Sequence, residues 1–389
     1  MKPKKSSTEK KRIILLGATG SIGSSTIKVL RNFPEEFQLV GISANTQTEA
    51  LLEIAEEFKV QNIALTSPSS YKLGKIRNKE RLILGNNALE ELIEVTDADL
   101  VIVAIVGARA LNPTLRAINK GMNIALANKE LLVLGGSFVT EAVQKNRVQL
   151  LPIDSEHNAI FQCLQGYDPN NIKSIVLTAS GGACRDLPLS SLSKVTPKEA
   201  QAHPNWSMGA KITIDSATMA NKGLELIEAR WLFDLKPEQL KVVIHPESTV
   251  HSFVEWIDGS VLAQLSPPDM TFAIQHCLFY PDKKENPTPS INFNKAFKCT
   301  FIPPDIKRYP CLDLAYQALK SEPFGGAIFN AANEIAVQRF LSGEIPFTNI
   351  SKLIEKALTN IKTPKELNLE TLIELDSQTR DYALKQKIK

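Results

Sequence analysis

The fold is decided near the start of the chain, by the stretch Ile13-Ile14-Leu15-Leu16-Gly17-Ala18-Thr19-Gly20-Ser21-Ile22-Gly23. Four consecutive apolar residues are typical of a strand buried on both faces, and helical periodicity from Ile22 to Arg31 follows at once. The glycines between them let backbone approach a pyrophosphate, and the N–H groups at the helix start carry partial positive charge toward it. This order favours dinucleotide binding over the alternative, a plain tight turn.

The alternation of apolar runs and helical segments continues downstream. It predicts strands at residues 38–42, 100–104, 123–126 and 148–151, and helices at residues 49–58 and from residue 108. Continuous apolar strands separated by helices imply a parallel sheet covered on both faces. We therefore predict an α/β fold whose N-terminal domain, residues 12–153, is doubly wound and Rossmann-like.

The rest of the chain divides into a central domain, a linker and a helical domain. Apolar runs at 174–178, 211–214, 241–244 and 261–265, with a helical stretch around residue 225, predict a central α+β domain over residues 154–279. Repeated prolines predict an extended linker at 280–310. Helical periodicity at 312–319, 330–340 and 353–361 predicts a C-terminal helical bundle over residues 311–389.

Composition excludes several classes of protein. A length of 389 residues exceeds the size at which single cores stop growing, so two or three domains are expected rather than one. The net charge of +3 is accounted for by a basic tail, residues 1–11, which we predict to be mobile, and without a basic face we expect no nucleic-acid partner. No apolar run is long enough to span a membrane, so a cytoplasmic protein is expected. Five widely spaced cysteines, with no C-x-x-C pair, indicate reduced thiols.

Cofactor choice is usually read at the end of the second strand, which here is Ser43-Ala44-Asn45-Thr46-Gln47. NAD-specific proteins place an acidic residue there to bind the ribose diol. Its absence removes the repulsion of a 2′-phosphate, and Ser43, Asn45, Thr46 and Gln47 offer hydrogen bonds. The segment therefore favours NADPH, although it contains no arginine or lysine.

Carboxylates suited to a hard cation occur in two clusters. Asp154 and Glu156 share a face of an extended backbone, whereas the alternative interpretation is an ordinary helix cap with Glu in the first turn. Asn221, Lys222 and Glu225 fall in one arc of an amphipathic helix, a pattern that also fits any solvated helix face. Because both clusters lie in the central domain, they predict a three-carboxylate site for Mg²⁺ or Mn²⁺.

Polar groups suited to an anionic substrate surround these carboxylates in sequence. Hydroxyl, imidazole, amide and ammonium groups make a reasonable phosphate pocket from Ser180, His203, Ser216, Asn221 and Lys222. Residues 203–209 are interpreted as a substrate lid, against the alternative that Trp206 is a core residue. Asn128-Lys129-Glu130 follows a strand at the carboxyl edge, where ligands bind in open α/β sheets.

Taken together, these blocks resemble the 1-deoxy-D-xylulose 5-phosphate reductoisomerase family. The similarity spans essentially the whole chain from Arg12 and is carried by the glycine loop and by residues 127–130, 154–162, 203–209, 215–233 and 330–334. The resemblance implies rearrangement of 1-deoxy-D-xylulose 5-phosphate, then NADPH reduction to 2-C-methyl-D-erythritol 4-phosphate in non-mevalonate isoprenoid biosynthesis. It also implies a homodimer associating through the central domain.

The resemblance also implies roles for individual residues. The metal ligands would be Asp154, Glu156 and Glu225. The substrate site would be lined by Lys129, Ser155, Glu156, Ser180, His203, Ser216, Asn221, Lys222 and Glu225. The cofactor would be contacted by Thr19, Gly20, Ser21, Ile22, Asn128, Glu130 and Gly209, to which the loop and strand patterns add Gly23, Asn45 and Gln47. The predicted catalytic residues are Lys129, Asp154, Glu156, His203 and Glu225.

One departure and two rival functions remain. Many family members carry Gly-Lys-Asn where this chain has Asn45-Thr46-Gln47, so the lysine expected near the 2′-phosphate is missing. A different Rossmann oxidoreductase, such as an aldehyde or hydroxy-acid dehydrogenase, would share the glycine loop but need no metal. A catalytically silent NADPH sensor would bind the cofactor without turnover.

Overall fold

The structure is a computed structural model that describes every residue except 1–8, 68–81, 204, 205, 207 and 389. Most of the predicted basic tail lies outside the described residues, and the first strand already begins at Lys11. In the described part of the chain, no helix is both long and apolar enough to cross a membrane. All five cysteines are free thiols, as the sequence predicts.

Strands and helices alternate along most of the chain. The strands of the described residues are β1 (Lys11–Leu16), β2 (Phe37–Ala44), β3 (Asn62–Leu65), β4 (Leu82–Leu84), β5 (Leu100–Val103), β6 (Asn123–Leu126), β7 (Leu150–Pro152), β8 (Ile172–Ala179), β9 (Leu240–Ile244), β10 (Val250–Trp256) and β11 (Val261–Leu265). The helices of the same residues are α1 (Ser21–Asn32), α2 (Thr48–Phe58), α3 (Ala88–Val95), α4 (Leu111–Asn119), α5 (Lys129–Asn146), α6 (Ser155–Cys163), α7 (Pro197–Ala200), α8 (Ala210–Thr218), α9 (Ala220–Phe233), α10 (Met270–Phe279), α11 (Pro310–Lys320), α12 (Gly325–Leu341), α13 (Asn349–Asn360) and α14 (Leu369–Lys385).

Two compact units are formed. The first contains the described residues as far as Asn128, together with Glu141–Asp154 and Asp269–Pro289. The second contains Lys129–Thr140, Ser155–Pro268 and the described residues from Ser290 onward. The chain therefore passes between the units several times, in contrast to the consecutive domains expected from sequence.

The first unit confirms the predicted doubly wound sheet. Its described strands are all parallel and lie in the order β4-β3-β2-β1-β5-β6-β7. The apolar residues of β1 from Ile13 to Leu16 are fully buried, as the continuous apolar run predicts. Strand order reverses between β1 and β5, and in such sheets ligands bind in the crevice at this switch point.

Helix α10 belongs to the first unit, although the sequence boundaries place it in the central domain. The ring of Phe279 packs edge-to-face against Phe33 and Phe37, with centroid distances of 4.8 and 4.9 Å. On the same unit, the Lys11 ammonium donates to the carbonyl of Leu278. These aromatic contacts bury the apolar side of α10 and explain why the helix packs here.

The second unit contains the predicted second sheet. Its described strands lie in the order β11-β10-β8-β9, with β8 and β9 parallel and the other pairs antiparallel. The strand predicted at residues 211–214 is wrong, because these residues lie in α8. Their β-branched side chains suggest a strand, but Ile214 is fully buried and Thr213 donates to the carbonyl of Gly209 one turn earlier. Tertiary packing overrides local propensity here.

Helices α11 to α14 form the predicted bundle in the second unit. α12 is buried along nearly its whole length, including Phe329 and Phe340. α14 was not predicted, because it buries only a narrow stripe of residues such as Leu372 and Leu375. Residues 281–309, all of them described, contain no helix and meet the sheet through one bridge between Ile302 and Ile244. The linker predicted at residues 280–310 stays a prediction.

The packing of α1 on the glycine loop generates a prediction. A Cβ on residue 23 would lie 2.2 Å from the Gly17 carbonyl oxygen, so Gly23→Ala forces the loop backbone to move. We expect this change to lower the free energy of unfolding by about 1–3 kcal/mol, measured by urea unfolding. Gly20→Ala is the matched control, because its Cβ has no neighbour closer than 3.5 Å. Equal urea midpoints for the two variants would contradict the argument.

Candidate active site

The glycine loop joins β1 to α1 with geometry that only glycine allows. Gly17 has φ +90°, and a Cβ there would lie 2.6 Å from the Ala104 carbonyl oxygen. Gly20 is the N-cap of α1 and provides no side-chain cap, so the first-turn N–H groups of Ser21 and its neighbours are not occupied by a capping side chain. A bare helix start beside a close-packed loop fits a pyrophosphate group.

The end of β2 only partly matches its predicted role. The Ser43 side chain is fully buried and accepts a hydrogen bond from the Gly17 N–H at 3.0 Å, so this hydroxyl shapes the loop. Asn45 accepts a hydrogen bond from Thr66 at 2.9 Å, and Gln47 is the N-cap of α2. With the Ser43 hydroxyl engaged by the loop, Asn45, Thr46 and Gln47 remain the candidates for contacting the ribose.

Asn128 has a structural duty at the end of β6. Its side-chain amide donates to the carbonyls of Ile105 and Gly107 at 2.6 and 3.0 Å, and the side chain is buried. It therefore fixes the loop that follows β5. A cofactor contact by Asn128 would use its backbone or its side-chain oxygen.

A buried cluster of charges gathers the predicted acidic and basic residues of the second unit. Lys129, at the start of α5, donates to Asn221 at 2.8 Å and to Glu225 at 3.0 Å, both on α9. Lys222 donates to Glu156 at 2.8 Å and also contacts Glu225. The sequence prediction that Asn221, Lys222 and Glu225 share one helix face is confirmed, but Lys222 and Glu225 on this face are buried rather than solvated.

Electrostatic compensation keeps the Lys222 ammonium charged. Burial would lower the pKa of Lys222, but the carboxylates of Glu156 and Glu225 outweigh burial and raise it. Lys222 is 3% exposed and Glu225 is 1% exposed, so neither charge is shared with bulk water. Unpaired burial of either group would be costly, and the arrangement is stable because both are paired.

The same cluster presents oxygen ligands for a metal ion. Glu156 and Glu225 each offer a carboxylate oxygen, and these atoms lie within 4.8 Å of each other. Ser155 donates to Glu156 at 2.5 Å and holds that carboxylate in place. Asp154 directly precedes Ser155, the first residue of α6. Oxygen-only donors fit Mg²⁺ or Mn²⁺ rather than zinc.

Sequence reasoning missed a neighbouring pair, His157 and Glu228. The His157 ring lies 2.9 Å from the Glu225 carbonyl oxygen and 3.3 Å from a Glu228 carboxylate oxygen, and both side chains are fully buried. His157 therefore contacts the backbone of a candidate metal ligand and links it to Glu228. The available signal was that Glu228 lies one helical turn after Glu225, which places the two residues side by side.

The predicted phosphate pocket is partly assembled around Ser180. Its Oγ lies 2.9 Å from His203 Nε2 and 3.5 Å from Ser216 Oγ, so three predicted residues converge. Ser180 precedes two glycines with positive φ, and the Gly182 N–H donates to its Oγ at 3.1 Å. A Cβ on Gly182 would lie 2.5 Å from the Cα of Ala217 on α8, so only glycine permits this approach.

The residues of the phosphate pocket and the metal cluster are joined by one helical corner. Ser216 lies on α8, and Asn221 and Lys222 lie on α9. Met219 connects the helices with φ +63° and is buried. Of the predicted lid, residues 204, 205 and 207 lie outside the described residues, whereas His203 and Trp206 are described.

Sequence reasoning also missed Lys211. Its ammonium lies 2.9 Å from Glu130 and 2.8 Å from Asp215, and Asn333 of α12 donates to the other Asp215 oxygen at 2.8 Å. Glu130, a predicted cofactor contact, is therefore ion-paired. Gly209, the other predicted cofactor contact nearby, is the N-cap of α8.

His245 and His251 have structural roles in the second unit. His245 accepts hydrogen bonds from the N–H groups of Thr249 and Val250 through Nε2, so its Nδ1 donates to the Thr300 carbonyl. His251 is buried beside Ser266. These rings organise the turn and strands around β10.

Comparison with family models finds three matching stretches. Residues 13–136 match the family described as 1-deoxy-D-xylulose 5-phosphate reductoisomerase. Residues 150–233 match the 1-deoxy-D-xylulose 5-phosphate reductoisomerase C-terminal domain, and residues 265–382 match the DXP reductoisomerase C-terminal domain. The matches cover both the glycine loop and the charged cluster.

Curated relatives and solved structures agree with these models. Proteins named 1-deoxy-D-xylulose 5-phosphate reductoisomerase from Geobacillus sp. (strain WCH70) and Clostridium perfringens (strain 13 / Type A) are 47% and 44% identical, over 96% of this chain and 98% of theirs. The Zymomonas mobilis enzyme in complex with NADPH is 40% identical, with a TM-score of 0.90 over 97% of this chain and 98% of that one. A DOX-P reductoisomerase in complex with NADPH, fosmidomycin and magnesium has a TM-score of 0.91 at 40% identity, over 96% and 97%.

The environment of His203 predicts its protonation state. The Trp206 N–H donates to Nδ1 at 3.0 Å, so Nε2 carries the proton and donates to Ser180. Burial lowers the pKa of His203, so the ring is neutral at pH 7. Because the folded pKa lies below the ordinary value of about 6.5, we expect stability to fall as pH drops from about 6.5 through the folded pKa.

Nitrogen-15 NMR of the imidazoles measures this state directly. We expect the Nε2–H tautomer for His203, and His276, whose pKa burial lowers to about 4, serves as an internal reference for a buried ring. An Nδ1–H tautomer, or a His203 pKa at or above the ordinary value, would contradict the assignment.

Proposed function

Because this chain belongs to the 1-deoxy-D-xylulose 5-phosphate reductoisomerase family, we propose that it rearranges and reduces 1-deoxy-D-xylulose 5-phosphate to 2-C-methyl-D-erythritol 4-phosphate, using NADPH and a divalent metal ion. This is a step of non-mevalonate isoprenoid biosynthesis. The observation that carries the proposal is the buried cluster in which Glu156 and Glu225 face Lys129 and Lys222.

Asp154, Glu156 and Glu225 would hold the metal ion. Glu156 and Glu225 already offer neighbouring oxygens, and Asp154 is two residues from Glu156 in the chain. A bound Mg²⁺ or Mn²⁺ would polarise the substrate carbonyl and stabilise negative charge that develops on its oxygen. Ser155, by donating to Glu156, holds that carboxylate in place.

Lys129 and Lys222 supply positive charge on either side of Glu225. With their ammonium groups held by carboxylates and by Asn221, they are pre-organised to donate to substrate oxygens. No side chain has to be recruited from solvent, because both ammoniums are already buried.

The phosphate of the substrate would occupy the pocket around Ser180. Ser180 and Ser216 offer hydroxyls, and neutral His203 donates through Nε2. Asn221 and Lys222 follow directly after the helical corner and add an amide and a charge. Phosphate contacts of this kind anchor one end of the substrate so that the carbonyl end is positioned by intramolecular geometry.

NADPH would bind along the glycine loop and supply the hydride. Thr19, Gly20, Ser21 and Ile22 offer the loop and helix start, with Gly23 allowing their close approach. Asn128, Glu130 and Gly209 are the proposed contacts at the other end of the cofactor, with Asn45 and Gln47 proposed near the adenosine ribose. We propose residues 12–153 as the NADPH-binding domain, residues 154–279 as the central catalytic and dimerisation domain, residues 280–310 as a linker and residues 311–389 as a C-terminal helical domain.

The protein is further proposed to act as a cytoplasmic homodimer. β11 is an edge strand of the second sheet, and its Val261 and Leu265 side chains are 54% and 38% exposed. An apolar edge strand is a natural site for association of two copies. Manganese is proposed as an alternative to magnesium, since carboxylate ligands suit both ions.

The experiment that tests the function is NADPH oxidation by the purified protein with 1-deoxy-D-xylulose 5-phosphate. Turnover is measured with Mg²⁺ or Mn²⁺, and again after excess chelator. Oxidation that the chelator abolishes supports substrate and metal together. Turnover that ignores the chelator would favour a metal-independent dehydrogenase, and NADPH binding without turnover would favour a sensor.

Glu225→Gln tests the metal site within the same assay. The substitution removes one anionic ligand and leaves Lys222 with Glu156 alone. We expect turnover to fall by at least about a hundredfold, in line with the loss of a group that stabilises the transition state, while NADPH affinity stays unchanged. Asp234→Asn, on an exposed carboxylate just after α9, is the control and should keep full activity. Near-normal turnover of Glu225→Gln would remove this residue from the metal site.

Thr46→Lys tests cofactor choice. It restores a cation at the position where many family members carry lysine. A surface ion pair contributes up to about 1 kcal/mol, so we expect NADPH affinity to rise by up to about fivefold relative to NADH. The gain should shrink at high salt, because screening weakens exposed charge pairs. An equal gain for NADH would show that the lysine does not sense the 2′-phosphate.

A further inference from the structure

Lys211 lies between two buried carboxylates that belong to different helices. Its Nζ donates to Glu130 Oε1 at 2.9 Å and forms an ion pair with Asp215 Oδ2 at 2.8 Å, four residues along its own helix. The Glu130 side chain is 7% exposed and that of Asp215 is 1% exposed. Buried carboxylates persist only when they are paired, so this one ammonium compensates both.

We propose that Lys211 is a positioning residue for the cofactor site. It fixes Glu130, at the start of α5, against α8, whose N-cap is Gly209 and which carries Ser216. The inference rests on the proposed function, because Glu130 and Gly209 matter to the cofactor only if NADPH binds there. Lys211 itself is not proposed to touch NADPH or substrate.

The charges around this pair leave Glu130 dependent on Lys211. Among the described residues, the other cation that faces Glu130 is Lys129, which is engaged with Asn221 and Glu225. Lys211 also faces Glu334 of α12, but Glu334 is bound by Arg380 of α14 at 2.7 Å. Asp215 has a second partner in Asn333, whereas Glu130 relies on Lys211 for its close ion pair.

The chemical consequence concerns the acceptor capacity of Glu130. Burial would raise the pKa of Glu130, but the Lys211 ammonium, aided by Lys129, outweighs burial and holds it below its ordinary value. An ionised carboxylate accepts hydrogen bonds through both oxygens, as binding of cofactor hydroxyl or amide groups requires. Without Lys211, burial favours the protonated acid, and acceptor capacity declines as pH falls.

A salt bridge that merely holds α8 in place is the rival explanation. It would change thermal stability, but it would give no link between residue 211, residue 130 and the pH dependence of cofactor binding. The test therefore measures the dissociation constant of NADPH by fluorescence titration of the full-length protein, from pH 6 to 9. Substrate and metal are left out, so that catalysis does not enter.

The variants are Lys211→Met, Lys211→Gln, Lys211→Arg, Glu130→Gln and the double variant Lys211→Met with Glu130→Gln. The Gln variant keeps a hydrogen-bond donor without charge and serves if Lys211→Met does not fold. Lys241→Met is the matched control, because this lysine pairs with Glu255 on the exposed sheet of the same unit. Wild-type titration comes first, since absence of NADPH binding there would contradict the proposed function itself.

Loss of an outer partner of a ligand group typically costs 10–100-fold, so we expect Lys211→Met or Lys211→Gln to weaken NADPH binding by roughly tenfold at pH 7. The loss should be larger at pH 6 than at pH 9, and Lys211→Arg should restore most of the affinity. The double variant should bind no worse than Glu130→Gln alone, because both changes act through one interaction. Wild-type affinity of the neutral variants at every pH, or additive losses in the double variant, would overturn the proposal.

Discussion

The structure depends on the compensation of buried charge between α5, α6 and α9. Glu156 and Glu225 lie close enough to bind one cation, and without Lys129 and Lys222 their mutual repulsion would separate the helices or force protonation. The lysines allow the chain to fold with the site already assembled. Under the proposed function they would also lie beside the substrate oxygens, so one set of charges would serve both folding and chemistry.

Local sequence patterns predicted the fold correctly wherever the burial of a residue follows from its neighbours in the sequence. The run from Ile13 to Leu16 and the glycines after it specified β1, the loop and α1, because a strand buried on both faces has no polar positions. The same reasoning failed at α8. Its β-branched residues predict a strand, and the helix is explained only by contacts with α12 and by the Lys211 ion pairs. β10 was overlooked because His251 and Ser252 interrupt its apolar pattern, although both side chains are buried.

The site shows the same division. Asn221, Lys222 and Glu225 could be grouped from helical periodicity alone, because they lie within two turns of one helix. Lys129 and Glu225 are 96 positions apart, and Lys211 and Glu130 are 81 apart, so spacing gives no sign that they meet. The family resemblance identified Lys129, Glu225 and Glu130, but not Lys211. A residue whose contacts are with another side chain rather than with a ligand is hard to recognise from a sequence motif.

The corner at Met219 determines the distance between Ser216 and Glu225. Under the proposed roles, Ser216 before the corner holds the phosphate, and Glu225 after it holds the metal that meets the carbonyl. Met219 takes a left-handed conformation, unusual for a residue with a side chain, and its burial fixes the angle between α8 and α9. Under these roles, the two ends of the substrate would be held by one pair of helices rather than by a loop. The distance between the helices would favour sugar phosphates with a matching number of carbons between phosphate and carbonyl, so the backbone would select chain length before any side chain contacts a hydroxyl.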